Sequence, residues 1–358
     1  SGSDIAIGGT ITTSDSYSNG LQIRYSSPSL ASTTAPVIPL AASDALVNVS
    51  VDGSIRAGGN AADGINVELV EGTSVSIDIA GSVEATAVAG RGIFVGTGGI
   101  DTPTAAVFVN IAEGGRLNAA DGAAYAEGSG NIATVMTIRG EVARQEVGDL
   151  AIDLGAGDDT IILLPTYSVT GQVDGGAGFD SFVLDGEAGT SGQIALLDGN
   201  TARAFNFEDI RKRGEGMWTI SGDDIPAGLP LPTGTIEAGT LRVYANIPGL
   251  NLVVQPDATL SGTGSVGSVT LTGGVLSPGA GESSAEPDGS AQAVTAAPVP
   301  VAPSAPAATA VVASVGAATL PEAGTAAEAG VARQARGGMI VEHQAQGRNG
   351  MIVEHEAQ

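Results

Sequence analysis

The sequence contains no cysteine and only two histidines, His343 and His355. The absence of cysteine excludes disulfides, thiolate catalysis and cysteine-ligated metals. Both histidines lie near the C-terminal end, so a Ser-His-Asp hydrolase would need a histidine from the tail. No Gly-x-Ser-x-Gly motif is present either. A metal site on the two histidines and their neighbouring glutamates would be weak, and duplication of the segment is the simpler explanation.

Large side chains are also scarce, because aromatic residues make up 3% of the chain and there are four methionines. The 54 glycines are about twice the usual share. An ordinary globular core would be hard to fill from Ala, Val, Ile and Gly. A narrow, elongated core suits these small and β-branched side chains better.

Basic residues are few: 14 Lys and Arg stand against 39 Asp and Glu, which gives a net charge of −25. Such a surface repels phosphate backbones and anionic lipid, so we expect no nucleic-acid partner. The charge is typical of an exposed, acidic protein that meets divalent cations outside a cell.

A loose repeat begins at Leu46, in which an alternating strand, a glycine and a second short strand follow one another. The key glycines are Gly53, Gly81, Gly115 and Gly140. Short strands with glycine corners at this spacing indicate a solenoid whose coils carry loops of variable length.

The clearest repeat aligns Asp153–Leu163 with Asp174–Leu184 at an offset of 21 residues. Each copy places a glycine turn before an apolar triplet, so each copy enters a strand at the same corner. This period suits one β-helix rung of three strands, each of about five residues, with their turns.

The chain divides by composition into five predicted segments. They are an N-terminal cap and loop (1–45), irregular β-helix rungs (46–203), a C-terminal β-helix repeat (204–281), an Ala/Pro-rich linker (282–337) and a duplicated Gly-Met-Ile-Val-Glu-His tail (338–358). The composition of the linker predicts a disordered or semi-extended segment.

Several fixed phrases occur in one order within about a fifth of the chain: Asn206–Glu208, Arg211–Gly222, Ala238–Leu241, Ala258–Gly267 and Gly273–Gly279. Together they resemble the autotransporter-associated passenger repeat of bacterial autotransporters, the type V secretion proteins. The resemblance implies an all-β fold, a right-handed single-stranded parallel β-helix. It also implies secretion to the surface of a Gram-negative bacterium through a C-terminal outer-membrane barrel. No series of alternating amphipathic strands follows Gly281, so we expect that translocator barrel to be absent from this chain.

Calcium is the one metal that a motif suggests. Gly175–Phe182 matches the RTX calcium nonapeptide, and Gly155–Ile161 matches it less one glycine, which makes Asp159 and Asp180 candidate calcium ligands. RTX copies lie nine residues apart, whereas these lie 21 apart. A β-helix corner with glycines at positive φ and a capping aspartate is the favoured alternative.

Two carboxylate pairs, Asp158 with Asp159 and Asp223 with Asp224, are the best candidates for the acid and base of a carbohydrate-active enzyme. Neither pair has a basic residue nearby in sequence, so we expect solvated turn acids. The stretch Gly262–Gly267 satisfies G-x-G-x-x-G but precedes a β-favouring segment, which predicts a turn and not a dinucleotide loop.

The one basic run, Arg211-Lys-Arg213, is predicted to be a solvated loop, and Trp218 is predicted to fill the interior. We expect a secreted or cell-surface passenger with an adhesive or structural role, no catalysis and no required cofactor. Its partners would be surface glycans or proteins, or further copies of itself. Two alternatives stay open: a β-helix polysaccharide lyase or hydrolase, and an RTX-like calcium-binding module.

Overall fold

The computed structural model describes residues 2–25, 37–40, 46–69, 72–97, 105–144, 149–198, 201–223, 233–279 and 311–312. These residues all belong to one compact unit, Ser1–Ala318. They form strands and turns, with no helix among them. The described ranges accordingly contain no helix of the length and apolarity that a membrane crossing requires. The duplicated tail and most of the linker lie outside the described residues.

The first half of the strands lies before residue 145. They are β1 Gly2–Ile7, β2 Thr10–Thr13, β3 Leu21–Tyr25, β4 Val37–Leu40, β5 Leu46–Val51, β6 Ser54–Ala57, β7 Ile65–Glu68, β8 Ser74–Ile79, β9 Ser82–Ala85, β10 Ile93–Gly96, β11 Ala106–Ile111, β12 Arg116–Ala119, β13 Tyr125–Glu127, β14 Ala133–Ile138 and β15 Glu141–Arg144.

The remaining strands are generally longer towards the end of the chain. They are β16 Leu150–Asp153, β17 Thr160–Leu163, β18 Ser168–Thr170, β19 Gln172–Asp174, β20 Ser181–Leu184, β21 Ser191–Ala195, β22 Leu197–Asp198, β23 Thr201–Ala202, β24 Ala204–Phe205, β25 Asp209–Lys212, β26 Met217–Ser221, β27 Thr233–Val243, β28 Asn246–Gly262, β29 Ser265–Leu271, β30 Val275–Pro278 and β31 Val311–Val312.

Three parallel sheets take one strand each from successive coils. Sheet A runs β1-β5-β8-β11-β14-β17-β20-β25-β27-β28-β29, sheet B runs β2-β6-β9-β12-β15-β18, and sheet C runs β3-β7-β10-β13-β16-β19-β24 with β4 beside β3. One coil therefore passes from A to B to C before the chain returns to A. This is a parallel β-helix, as the repeat predicted, and its right-handed winding stays a prediction.

Side chains alternate between the interior and the surface along each strand. In β5 the pattern runs from exposed Leu46 to buried Val47, Val49 and Val51. Val51 belongs to an inward column in which it pairs with Ile7 on one side and Ile79 on the other, and Ile79 pairs with Ile111. Stacking one β-branched side chain on the next along the ladder fills the narrow interior without large aromatic residues.

The repeated glycines lie at the corner between sheets A and B. At Gly81 a Cβ atom would lie 1.8 Å from the carbonyl oxygen of Gly53, in the coil before it. The corners of successive coils thus approach too closely for any side chain. The 21-residue period is equally structural, because Thr160 pairs with Ser181 and Ala156 bridges Ala177.

The stack begins at Gly2, well before Leu46, where the sequence repeat becomes visible. Strand β1 pairs in parallel with β5 over six residue pairs, and β2 and β3 pair with β6 and β7. The buried pattern that marks later coils is weak in this first coil, since no position of β2 is fully buried. The segments 26–36 and 41–45 lie outside the described residues.

Residues 204–279 continue the stack with longer strands. The first part of β27 pairs with β25 and its second part pairs with β26, so this strand turns a corner without a break. The indole of Trp218 is fully buried, as predicted, and its Nε1–H donates to the carbonyl oxygen of Asp185 at 2.9 Å.

Sheet B has a break in its ladder. It ends at β18, and the next strand on that side, β21, pairs only with β26 among the described residues. Sheets A and C continue past this level through the β17–β20 and β19–β24 pairs. The result is a split between β18 and β21 in one wall of an otherwise continuous coil.

Candidate functional site

Two features of the stack bring chemical groups together: a column of buried carboxyl groups at one corner, and the split between β18 and β21. The column arises from the 21-residue repeat. Its glycine turns are stacked so closely that a Cβ atom on Gly178, whose φ is +149°, would lie 1.7 Å from the carbonyl oxygen of Gly157. Asp159 and Asp180 follow these turns and are 1% and 0% exposed.

Each aspartate of the column accepts a hydrogen bond from the backbone of the preceding coil. The N–H of Thr134 donates to Asp159 Oδ1 at 2.7 Å, and the N–H of Asp159 donates to Asp180 Oδ1 at 2.8 Å. The N–H of Asp180 in turn donates to Glu208 Oε2 at 2.8 Å. These carboxyl groups therefore cap the corner, which is the structural role that the sequence favoured.

Glu127 extends the column towards the N-terminal coils. Its Oε1 atom accepts hydrogen bonds from the hydroxyl of Tyr125 at 2.7 Å and from the hydroxyl of Thr134. Burial raises the pKa of Glu127 to about 9, and the neighbouring Asp159 carboxylate adds to this shift. Burial likewise raises the pKa of Asp159 to about 8 and that of Asp180 to about 6.

One oxygen of each of these three carboxyl groups is buried without a hydrogen-bond partner: Glu127 Oε2, Asp159 Oδ2 and Asp180 Oδ2. A protonated carboxyl group loses less solvation on burial than a carboxylate does, so the raised pKa values and the unpartnered oxygens are consistent with each other. At neutral pH the carboxyl groups of Glu127 and Asp159 are therefore mostly protonated and uncharged.

The calcium hypothesis for Asp159 and Asp180 stays a prediction. The two side chains do lie in successive coils, and each has one buried, unpartnered oxygen. Their other oxygens already accept backbone N–H groups. Among the described residues, no group of three or more histidine, aspartate or glutamate side chains is arranged to hold a metal. A raised pKa also opposes a cation that needs deprotonated ligands.

The other predicted carboxylates do not form a cluster of their own. Asp158 is exposed, and its Oδ1 accepts the N–H of Phe179 at 2.9 Å. Asp223 is exposed, and Asp224 lies outside the described residues. The expectation that Asp159 would be solvated is wrong, because the coil that carries Thr134 covers it. The G-x-G-x-x-G stretch joins β28 to β29 through a turn, as predicted.

The basic run is not a loop. Residues 209–212 form β25, and Lys212, the only lysine of the chain, is 1% exposed. Its Nζ donates to the carbonyl oxygens of Arg213, Gly214 and Ala238 at 2.9, 2.7 and 3.0 Å. Burial lowers the pKa of Lys212 to about 8, so the amine is still mainly protonated at neutral pH and can make all three bonds.

The flanking arginines are partly exposed and pair with neighbouring acids. Arg213 Nε lies 2.8 Å from Asp185 Oδ2, and Arg211 pairs with Asp209. Sequence reasoning missed the buried lysine because one of its carbonyl partners lies 26 residues away. The two-residue periodicity of β25 could have indicated the burial of Lys212, since Lys212 faces the same side of the strand as the apolar Ile210.

The split between β18 and β21 forms an open groove of about 540 Å³. All the side chains that line it are uncharged: Pro165, Tyr167, Ser168, Val169, Ser191, Gly192, Gln193, Met217 and Thr219. On a chain with a net charge of −25, a neutral groove differs from the average surface. It offers no carboxylate, imidazole or amine for proton transfer.

Tyr167 spans the split. Its hydroxyl donates to the carbonyl oxygen of Gln193 at 2.8 Å, and its ring lies 5.6 Å from that of Trp218. The absence of a side chain at Gly192 lets the Trp218 indole lie close to β21, since a Cβ atom there would lie 2.8 Å from the indole ring atoms. Burial raises the pKa of Tyr167 to about 12, so the phenol is a neutral donor at physiological pH.

Behind Tyr167 lies a mainly apolar cavity of about 220 Å³, bordered by side chains that include Leu163, Val169, Phe182 and Ile194, with Arg203 as the one charged residue of its lining. The cavity forms where the inward-facing side chains of one column in sheet C become smaller and leave space between them. That column runs Tyr125, Ile152, Val173 and Ala204 in register, so the side chains shrink from a ring to a methyl group. The groove and the cavity share Tyr167 and Val169.

Comparisons with family models, with characterised proteins and with solved structures found no match. The architecture places the chain among parallel β-helix proteins. The resemblance to autotransporter passengers depends on the sequence phrases alone and stays an expectation.

Proposed function

We propose that this chain is a secreted or cell-surface β-helix of the autotransporter passenger type, with an adhesive or structural role and no catalytic activity. The supporting observation is the uncharged groove between β18 and β21, which lies in the wall of a continuous stack. Such a groove offers hydrogen-bonding and apolar contacts to an extended ligand but no group that would break one of its bonds.

The alternative of a polysaccharide lyase or hydrolase has less support. Glycoside hydrolysis uses a pair of carboxyl groups on opposite sides of a substrate cleft. The carboxyl groups whose pKa is raised most, Glu127, Asp159 and Asp180, lie buried at the corner of the stack. The two aspartates accept backbone N–H groups, and Glu127 accepts the hydroxyls of Tyr125 and Thr134. The exposed carboxylates Asp158 and Asp223 do not line the groove.

A calcium-binding role is a second candidate, favoured by the two buried unpartnered oxygens of Asp159 and Asp180. It would require both groups to lose their protons and a third ligand to approach. That rearrangement would disrupt the backbone caps, so we regard binding as a property to be tested separately from adhesion.

The proposed function is tested with the full chain on immobilised glycans and extracellular-matrix proteins, using surface plasmon resonance. We expect saturable binding that Gln193→Ala weakens, because this side chain lines the groove. Exposed Val253 on β28 provides a matched control, and Val253→Ala should bind as the parent chain does. The same polysaccharides are then assayed for new reducing ends and for unsaturated products. Turnover of any of them would overturn the non-catalytic proposal, and absence of all saturable binding would overturn the adhesive one.

A further inference from the structure

Both sides of the split present strand edges. In a parallel ladder the N–H and C=O groups of one residue point to the same neighbouring strand, and the next residue points to the other side. The N–H of Ser168 donates to Gly140 in the preceding coil, and the N–H of Met217 donates to Thr190. The backbone groups of Val169 on β18, and of Ser191 and Gln193 on β21, therefore face the split.

These edges are not used by any other strand among the described residues, since β18 pairs only with β15 and β21 only with β26. Exposed strand edges are templates for the addition of another strand. Tyr167 spans the split with its side chain: its hydroxyl donates to the carbonyl oxygen of Gln193, and its ring contacts that of Trp218.

The cavity behind Tyr167 has a size that selects one kind of anchor. Its volume of about 220 Å³ is below the roughly 300–1,000 Å³ of sites for drug-sized ligands. It exceeds the roughly 150 Å³ of an apolar cavity that holds a benzene molecule. One phenyl ring or one branched aliphatic side chain would fill it.

We infer that the split is a recognition site for an extended, uncharged polypeptide, which adds as a β-strand along the β21 edge and inserts one aromatic or aliphatic side chain into the cavity. The neutral groove lining favours such a segment over an acidic or basic one. The backbone edges favour a peptide over a glycan, because only a peptide supplies N–H and C=O groups at strand spacing. On binding, the peptide would displace Tyr167. The inserted side chain would make the apolar contacts that the Tyr167 ring makes in the free protein, and a peptide N–H would donate to the carbonyl oxygen of Gln193 in place of the Tyr167 hydroxyl.

The chain contains its own reporter of such binding. Trp218 is the single tryptophan, is fully buried and lies 5.6 Å from the Tyr167 ring. A ring that enters the cavity changes the surroundings of this indole. The probe is an acetylated and amidated peptide, Ser-Thr-Val-Thr-Phe-Thr-Val-Ser, which carries no tryptophan and no charge.

Titration of the full chain with this peptide should give a saturable change in Trp218 emission. Replacing the central phenylalanine of the peptide by alanine should weaken binding roughly tenfold to hundredfold, the range for losing a buried ring. N-methylation of alternate residues along one peptide edge should abolish binding, because it removes the strand hydrogen bonds. Equal affinity for the phenylalanine and alanine peptides, or for the N-methylated peptide, would overturn the inference.

Variants of the protein supply an independent check. Tyr167→Phe frees the carbonyl oxygen of Gln193, so it should tighten peptide binding about twofold to tenfold, the range for one neutral hydrogen bond. Ala204→Leu should fill the cavity, stabilise the fold and weaken binding of the phenylalanine peptide to that of the alanine peptide. Val253→Leu, on the exposed face of β28, is the matched control and should leave affinity unchanged. A folded Ala204→Leu protein that still prefers the phenylalanine peptide would refute the cavity as the anchor site.

The inference depends on the proposed binding role and deepens it, yet the two can fail separately. A chain that binds glycan surfaces but gives no Trp218 response to the peptide would overturn the inference alone. A chain that binds the peptide but no surface would overturn the proposed adhesion to glycans and matrix proteins and leave the strand site in place.

Discussion

Replacing Glu127 by glutamine should remove a large part of the pH dependence of stability. Burial raises the pKa of this carboxyl group from 4.5 to about 9. The folded chain therefore keeps a proton that the unfolded chain releases. The stabilisation is fully present below about pH 4.5 and is lost progressively as the pH rises towards about 9. Glutamine has no proton to lose and can still accept the hydrogen bonds of Tyr125 and Thr134.

The magnitude follows from the size of the shift. One pKa unit corresponds to about 1.4 kcal/mol, so the wild-type protein loses roughly 3 kcal/mol between pH 4.5 and pH 7. Typical domains unfold with about 5–15 kcal/mol, which makes such a loss measurable. The unfolding free energy of Glu127→Gln should therefore equal that of the wild type near pH 4.5 and exceed it by roughly 3 kcal/mol at pH 7.

Urea unfolding followed by Trp218 emission and circular dichroism, at pH steps between about 4.5 and 9, gives the difference curve directly. Asp159 and Asp180 titrate in both proteins, so their contributions largely cancel. Glu113, in an exposed turn, provides the control, because Glu113→Gln removes a carboxyl group that lies outside the buried column. A flat difference curve for Glu127→Gln would refute the assignment of a neutral, buried carboxyl group at this corner.

Three further outcomes follow from the same contacts. Lys212→Met leaves three carbonyl oxygens without their donor, so urea titration should show an unfolding free energy lowered by about 2–4 kcal/mol. Arg213→Met removes a surface ion pair and should lower it by about 1 kcal/mol or less in the same titration. Gly81→Ala forces a Cβ atom against the Gly53 corner and should destabilise the fold by about 1–3 kcal/mol in thermal melts. Gly8 has open space around it, so Gly8→Ala should be nearly neutral. Equal effects at both glycines would contradict the stacked corner. The melting midpoint with excess calcium should equal that with a chelator if the two candidate aspartates only cap the corner, and a raised midpoint would establish the calcium hypothesis instead.

The repeating part of the fold could be predicted because its causes are local. A coil of 21 residues places Asp153 over Asp174, and the corner at Gly53 and Gly81 approaches too closely for any residue but glycine. The inward position of Trp218 follows from the alternation of its own strand. Each of these features depends on a spacing that recurs from one coil to the next or within one strand, and such a spacing is visible in the sequence.

The candidate sites depend on contacts between coils of unequal length. The sequence therefore pointed to Asp159 and Asp180 of the column, but it revealed neither Glu127 nor the split between β18 and β21. Glu127 meets Thr134 across a corner, and Thr134 meets Asp159 25 residues later. Tyr167 reaches Gln193 26 residues along the chain, across a gap that exists only because β21 fails to pair with β18. No local sequence pattern indicates that β18 and β21 fail to pair, since each has an ordinary strand sequence.

The interrupted ladder also has a mechanical consequence. A tensile load along the stack is transmitted from coil to coil by backbone hydrogen bonds. At the level of the split, the strand ladders among the described residues are reduced to four residue pairs between β17 and β20 and two between β19 and β24, with the Ala156–Ala177 bridge beside them. Bending stiffness is lowest where fewest bonds resist it, so the stack should flex at this level first. Pulling a tethered chain with optical tweezers should therefore give an early extension step at the split, and a peptide bridging the two edges should raise the force at which that step occurs.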